Sequence, residues 1–206
     1  EKRNFKTEEE KLKRQESAFF WEERNNWFSD LWDLKGTSQK LNNSNTRERS
    51  AAYPFELPYR LINMFSLKGD TVLDPFLGTG TTSLAAITAC RNSVGYEIDA
   101  NIESEIFQNI DLKVTLTMLN NVVRERLINH SDFVKTREQD KNKEPLKHTS
   151  KNYHFPVVTG QERELLLNFI KCIKKENGIV VAEYIKDAVL DYQDTATLPE
   201  VSEVTG

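Results

Sequence analysis

Apolar positions along this chain return mostly at helical spacing, with two or three short extended runs between them. In "FELPYRLINMFS", Leu57, Leu61, Ile62 and Phe65 mark one helix, and Pro58 falls in its first turn, where a missing N–H costs little. Gly69-Asp70 turns the chain into a short strand, Thr71 to Leu73. After a glycine-rich loop, Thr81 to Ala89 reads as a helix and Ser93 to Glu97 as a second strand. Ile102, Ile106 and Ile110 recur every four residues, which predicts a helix. "VTLTMLNNVVRERLI" predicts another, with Leu116, Leu119, Val123 and Leu127 on one face. Thr159 and Glu162 form a capping box that predicts a helix running to about Lys175. "GIVVAEYI" is a strand candidate between helical neighbours.

The polar stretches divide the chain. Residues 1–17 are a mixed-charge run, expected to be a solvated helix or frayed arm. Phe19, Phe20, Trp21, Trp27, Phe28 and Trp32 follow closely, a density that predicts packing, with base stacking as the alternative. Residues 36–50 read as a loop, and "KTREQDKNKEPLKHTSK" as a mobile charged linker. The expected organisation is an N-terminal segment (1–50), a cofactor-binding part (51–135), a linker (136–152) and a helical C-terminal extension with a disordered acidic tail from Asp191 (153–206).

Composition narrows the classes. Charged residues make up 29% and apolar residues 38% of 206, a soluble globular balance. The net charge of -4 excludes a whole-chain basic field for nucleic acid but not a local patch. Cys90 and Cys172 belong to no CxxC pair, so neither a disulfide framework nor a zinc site is expected, and a reducing cytoplasm is the natural location. His130, His148 and His154 lack ligand spacing, so no metal is expected. No run is long and apolar enough to span a membrane. The chain begins at Glu1, as a processed chain, a trimmed one or a piece of a longer one would.

The chemistry concentrates in "VLDPFLGTGTTSLAAITACRNSVGYEID". A strand ending in an acid, then a glycine loop, then a helix, begins a βαβ unit whose loop lines a ligand crevice. Gly78 and Gly80 let backbone approach a ligand. Glu97, 23 positions after Asp74, suits a ribose, whose two hydroxyls can donate to one carboxylate. GxxxxGK[ST] and GxGxxG are both absent, so a nucleoside without phosphates fits better than a dinucleotide. S-adenosylmethionine, an adenosine carrying a sulfonium and an amino acid, is such a ligand.

"DPFLGTGTT" strongly resembles motif I of the amino-methylating DNA methyltransferases, which transfer a methyl group from S-adenosylmethionine to the exocyclic nitrogen of cytosine or adenine. "YPFELPYRLINMFSLKGDTVL" resembles the lead-in to motif I in permuted, beta-type members, and "RNSVGYEID" resembles motif II. "LWDLKG" extends the likeness to Leu31, while "RLINHSDF" and "VVTGQERE" are only loosely similar. The resemblance implies a partial Rossmann-like α/β methyltransferase fold. It places Asp74, Phe76, Gly78, Thr79 and Gly80 at the methionine end of the cofactor, Thr81 at the start of the helix there, and Glu97 on the ribose, with Asp99 second choice. Pro54, Phe55 and Leu57 would support the pocket.

One part of that machinery is missing. An exocyclic amino nitrogen is a poor nucleophile, and the family activates it with a [D/N/S]-P-P-[Y/F/W] loop that also stacks the flipped base. The six prolines, Pro54, Pro58, Pro75, Pro145, Pro156 and Pro199, include no adjacent pair, so no catalytic residue is assigned here. Two or three strands are also too few for an open sheet covered on both faces. The expectation is therefore the cofactor-binding part of a DNA methyltransferase acting on duplex DNA, completed by a further N-terminal segment, by a second polypeptide or by self-association. An RNA methyltransferase and a non-catalytic subunit of a DNA-binding complex are the alternatives.

Overall fold

The computed structural model describes residues 4–34, 53–111, 113–176, 178–191 and 193. The expected loop at 36–50, the end of "LWDLKG" and the acidic tail after 193 lie outside them. Helix α1 (Glu8–Glu16) starts from a reciprocal capping box: Glu10 N–H donates to Thr7 Oγ1 at 3.1 Å and Thr7 N–H to Glu10 Oε2 at 3.0 Å. The expected solvated helix is therefore present, with no buried residue. Helix α2 (Trp21–Trp27) carries the aromatic cluster inward. Phe20 and Trp27 are buried, whereas Trp21 and Phe28 remain partly exposed.

Helix α3 (Glu56–Phe65) forms where the apolar spacing predicts, but it buries a different face: Pro58, Tyr59, Ile62 and Asn63. Tyr59 and Ile62 pack on Ala85, Ala86 and Ala89, whose small side chains let two helices approach closely. Leu61 and Phe65 are consequently left at the surface. Strands β1 (Thr71–Asp74) and β2 (Asn92–Gly95) pair in parallel, with Asp74 opposite Gly95, and helix α4 (Thr81–Thr88) crosses between them. A short 3-10 turn (Ala100–Ile102) leads into helix α5 (Glu103–Asp111). Helix α6 (Lys113–Gln139) then runs for 27 residues, consuming the first part of the expected linker. Its predicted face is correct: Leu116, Leu119, Val123 and Leu127 are all buried.

The C-terminal part differs from expectation. The Thr159–Glu162 capping box exists, but it opens only a 3-10 turn (Gly160–Glu162). The chain then extends, and residues 170–184 form an antiparallel hairpin of strands β5 (Ile170–Glu176) and β6 (Ile179–Tyr184) instead of a helix reaching Lys175. A small ladder, β3 (His148–Thr149) with β4 (Pro156–Val157), precedes it. Two forces decide the hairpin. Gly178, with φ +78°, adopts the left-handed conformation that a tight turn between β5 and β6 requires. Asn120 of α6, almost fully buried, acts as a strand partner: Ile170 N–H donates to its Oδ1 at 2.8 Å and its Nδ2 donates to Ile170 O at 2.9 Å. The extended state thus gains two buried hydrogen bonds that a helix would forgo. The helical extension is corrected to a β-hairpin extension, while "GIVVAEYI" is a strand as proposed.

Among the described residues the strands form three separate two-stranded sheets, and β1–β2 is the parallel pair. Helices α3 and α4 cover one of its faces, with Val72 packed against their Tyr59–Ala85 cluster. On the other, Leu73 and its register partner Val94 are 62% and 45% exposed.

Candidate cofactor site

Asp74 ends β1 with both carboxylate oxygens engaged. Phe76 N–H donates to Oδ1 at 3.0 Å, and the Tyr53 hydroxyl donates to Oδ2 at 3.4 Å. The same hydroxyl lies 2.6 Å from Thr82 Oγ1, so Tyr53 links the lead-in segment, the strand end and the first turn of α4. Burial pushes the Tyr53 hydroxyl above its ordinary range; the bond to Thr82 opposes that rise and the Asp74 carboxylate adds to it. Tyr53 therefore stays a neutral donor.

The loop between Asp74 and α4 is folded back by backbone bonds, Leu77 N–H to Tyr96 O at 2.9 Å and Gly80 N–H to Leu77 O at 3.0 Å. Gly78 and Gly80 both adopt positive φ, 54° and 89°, and Gly80 is the N-cap of α4. A side chain at either would be strained, which is why the turn needs glycine twice. Glu97, two residues past β2, closes the arrangement: its Oε2 accepts Gly78 N–H at 2.9 Å and its Oε1 accepts Asp99 N–H at 2.9 Å. Each oxygen keeps a lone pair for a further donor.

The structure thus brings Asp74, Phe76, Gly78, Thr79, Gly80, Thr81 and Glu97 to one end of the parallel pair. Asp99 does something else: its Oδ1 accepts from Asn101 N–H at 3.1 Å and from Asn101 Nδ2 at 2.8 Å, capping the 3-10 turn. Pro54, Phe55 and Leu57 open α3, where Leu57 N–H donates to Pro54 O and the Phe55 ring stacks on Tyr59 with centroids 5.5 Å apart. Their neighbour Tyr53, not singled out from sequence, is the residue whose side chain reaches the loop. Its one sequence signal was its place at the head of the "YPFELPYRLI" lead-in. Beside Glu97, Phe76 (85%), Tyr96 (64%) and Ile98 (fully) are exposed, an apolar wall left open to solvent.

A carboxylate at the end of β1 and another two residues past β2, a glycine turn at a helix N-terminus and apolar side chains alongside form a βαβ unit of the kind that holds nucleosides. Residues 1–108 match the family model for DNA methylases of the N6/N4 type, and the chain belongs to that family. It is 53% identical over 174 residues to the type II methyltransferase M.MthZI of Methanothermobacter thermautotrophicus, covering 84% of this chain and 46% of that one. It is 52% identical over 97 residues to the type II methyltransferase M.MjaI of Methanocaldococcus jannaschii, covering 47% of this chain and 31% of the relative. The chain therefore spans under half the length of these relatives. A DNA modification methylase from Thermus thermophilus, solved in complex with S-adenosyl-L-methionine, is 33% identical over 52% of this chain and 37% of that one, with a TM-score of 0.41. S-adenosylmethionine is the family's cofactor, and the donor set described above fits it. No helix among the described residues is long and apolar enough to cross a membrane.

Proposed function

We propose that this chain is the cofactor-binding part of a type II DNA amino-methyltransferase, which methylates cytosine at N4 or adenine at N6 in duplex DNA within a restriction-modification pair in the cytoplasm. The observation that carries the reading is the bonded path Tyr53–Asp74–loop–Gly78–Glu97. It holds two carboxylates and a glycine turn rigid before any ligand arrives, so little ordering is left to binding. When bound, S-adenosylmethionine supplies an electrophilic methyl group on a cationic sulfur. Asp74 and the Gly78–Gly80 turn hold the methionine end, with Phe76, Thr79 and Thr81 shaping it. Glu97 accepts from the ribose hydroxyls through the lone pairs its two backbone donors leave open. Asp99 is withdrawn from that role by its cap. Pro54, Phe55 and Leu57 set the start of α3 and so the reach of Tyr53.

A completing segment, in the same polypeptide or another, supplies the amino-activating Pro-Pro loop and the strands that pair with β1 and β2. The uncovered Leu73–Val94 face and the open wall of Phe76, Tyr96 and Ile98 support this part of the reading. The test is transfer of tritiated methyl groups to mixed-sequence duplex DNA by the 206-residue chain, with and without the segment carrying a [D/N/S]PP[Y/F/W] loop. Transfer is expected only with it. Robust transfer by the chain alone would show that another residue activates the amino group. Binding of cofactor without transfer by any completed form would instead favour a non-catalytic subunit.

A further inference from the structure

Outside the glycine loop the structure buries one imidazole between two carboxylates. Glu22 lies on α2, His130 on α6, and Glu162 ends the 3-10 turn; one donor atom from each falls within 4.8 Å of the others. His130 is fully buried and Glu162 nearly so. The His130 ring is stacked on Phe20, centroids 4.0 Å apart, with Phe155 on its flank. His130 stands in "RLINHSDF" and Glu162 in "VVTGQERE", two segments that the methyl-transfer reading leaves without a role.

The hydrogen bonds restrict what can occupy the centre. His130 Nε2 lies 3.0 Å from Pro156 O. A carbonyl only accepts, so that nitrogen carries the hydrogen. Nδ1 then faces Glu22 Oε1 at 2.8 Å. In a neutral ring these are two lone pairs pointed at each other, which is repulsive. A positive centre must join them: a proton on the line between them, or a metal ion that both bind once they part from 2.8 Å to about 3.3 Å. With a proton, one positive charge faces two carboxylates and a net negative charge stays buried. The cation nearest to His130 along α6, Arg126 one turn earlier, is already paired with Glu23. A proton would also leave Glu22 Oε2 buried with no hydrogen-bond partner among the described residues. Glu162, by contrast, is held by donors on both oxygens: Trp21 N–H at 2.8 Å on Oε1, and the Thr159 N–H and hydroxyl on Oε2. A divalent ion removes both defects, since it neutralises the pair of carboxylates and gives Oε2 a partner.

We propose that Glu22, His130 and Glu162 form a structural site for a divalent first-row metal ion, zinc being the ion best matched to one imidazole and two carboxylates. The ring's Nε2–H bond to Pro156 O is the kind of outer-shell contact that fixes the tautomer of a metal-binding histidine. Glu22, 17% exposed, is the side from which an ion enters. The ion fastens α2, α6 and the 156–162 segment, which are far apart in sequence. The site is independent of the cofactor loop and stands whether or not that reading does.

The experiment strips the intact protein with a chelator, titrates it with zinc chloride, and reads metal content after gel filtration alongside thermal unfolding. The expected result is one zinc ion per chain and a rise in Tm that EDTA reverses. Manganese and magnesium should bind more weakly. Glu22→Gln can donate its amide N–H to the bare Nδ1 of His130 and should fold, yet lose about tenfold or more in zinc affinity, as should His130→Gln. Zinc content near zero in the wild type overturns the proposal. So does unchanged zinc affinity in folded Glu22→Gln, which would place the ion elsewhere; this variant decides the matter if His130→Gln fails to fold.

Discussion

Replacing Glu97 tests the cofactor site most directly, because its carboxylate has two separable jobs. It accepts the N–H groups of Gly78 and Asp99, both at 2.9 Å, and in the proposed function it also accepts from the ribose. In Glu97→Ala both go. Two half-buried N–H groups lose a charged acceptor, although water can reach them, so the loss of folding stability should be about 1–2 kcal/mol. The ribose loses a charge-assisted partner, worth about 1–3 kcal/mol of binding, or roughly 5- to 150-fold in Kd. Glu97→Gln separates the jobs. Its amide oxygen can keep one of the two backbone donors but has lost the charge, so stability should fall less while cofactor affinity still drops. Asp99→Ala is the control: it removes the cap of the 3-10 turn, costing about 1 kcal/mol of stability with no direct effect on the ligand. Calorimetric titration of the completed protein with S-adenosylmethionine measures all three. The reasoning fails if Glu97→Ala binds as the wild type does, or if Asp99→Ala loses as much affinity as Glu97→Ala.

Gly78→Val and Gly80→Val place a β-branched side chain at φ 54° and 89°, which should cost about 1–3 kcal/mol each and reduce cofactor affinity further than that; normal binding by either folded variant contradicts the loop assignment. Tyr53→Phe removes the hydroxyl that joins Thr82 to Asp74 and should lose about 1 kcal/mol of stability in chemical denaturation, together with cofactor affinity. Glu23→Gln breaks the buried pair with Arg126, leaving that guanidinium without its counter-charge beside Tyr59, and should cost about 3–5 kcal/mol in the same assay. Lys68 is held by burial at a pKa of about 8, below its ordinary 10.5. The folded state therefore binds this proton less tightly than the unfolded chain, and the Lys68 contribution should raise stability as pH climbs from about 8 to about 10.5. Wild type minus Lys68→Met, measured by urea unfolding across that window, should show that rise; a flat or falling difference refutes it.

How much was legible in sequence depended on whether the cause was local. The loop from Asp74 to Gly80 and the helix after it could be read directly, as could the acid at Glu97, although the strand expected to reach it ends at Gly95. Only glycine fits two positive φ values in one tight turn, and each carboxylate follows its own strand at close range. The buried face of α6 was equally legible, since four residues at helical spacing leave one arrangement open. The family motifs around them were specific for the same reason.

Long-range contacts decided the rest. The run after Glu162 is apolar at spacings that suit helix or strand, and Asn120, 50 positions upstream of Ile170, chose strand by offering both hydrogen bonds of a sheet partner. The apolar spacing of α3 pointed at Leu61 and Phe65, but close packing on Ala85, Ala86 and Ala89 buried Tyr59 and Ile62 instead. Tyr53 joined the site only when the fold carried it to Asp74. Glu22, His130 and Glu162 have no ligand spacing at all, because they come from three segments that share a neighbourhood only after α2 is pinned to α6. Sequence by itself settled the chemistry that one turn of backbone can hold; tertiary structure settled every site whose parts must be buried together before their charges can meet.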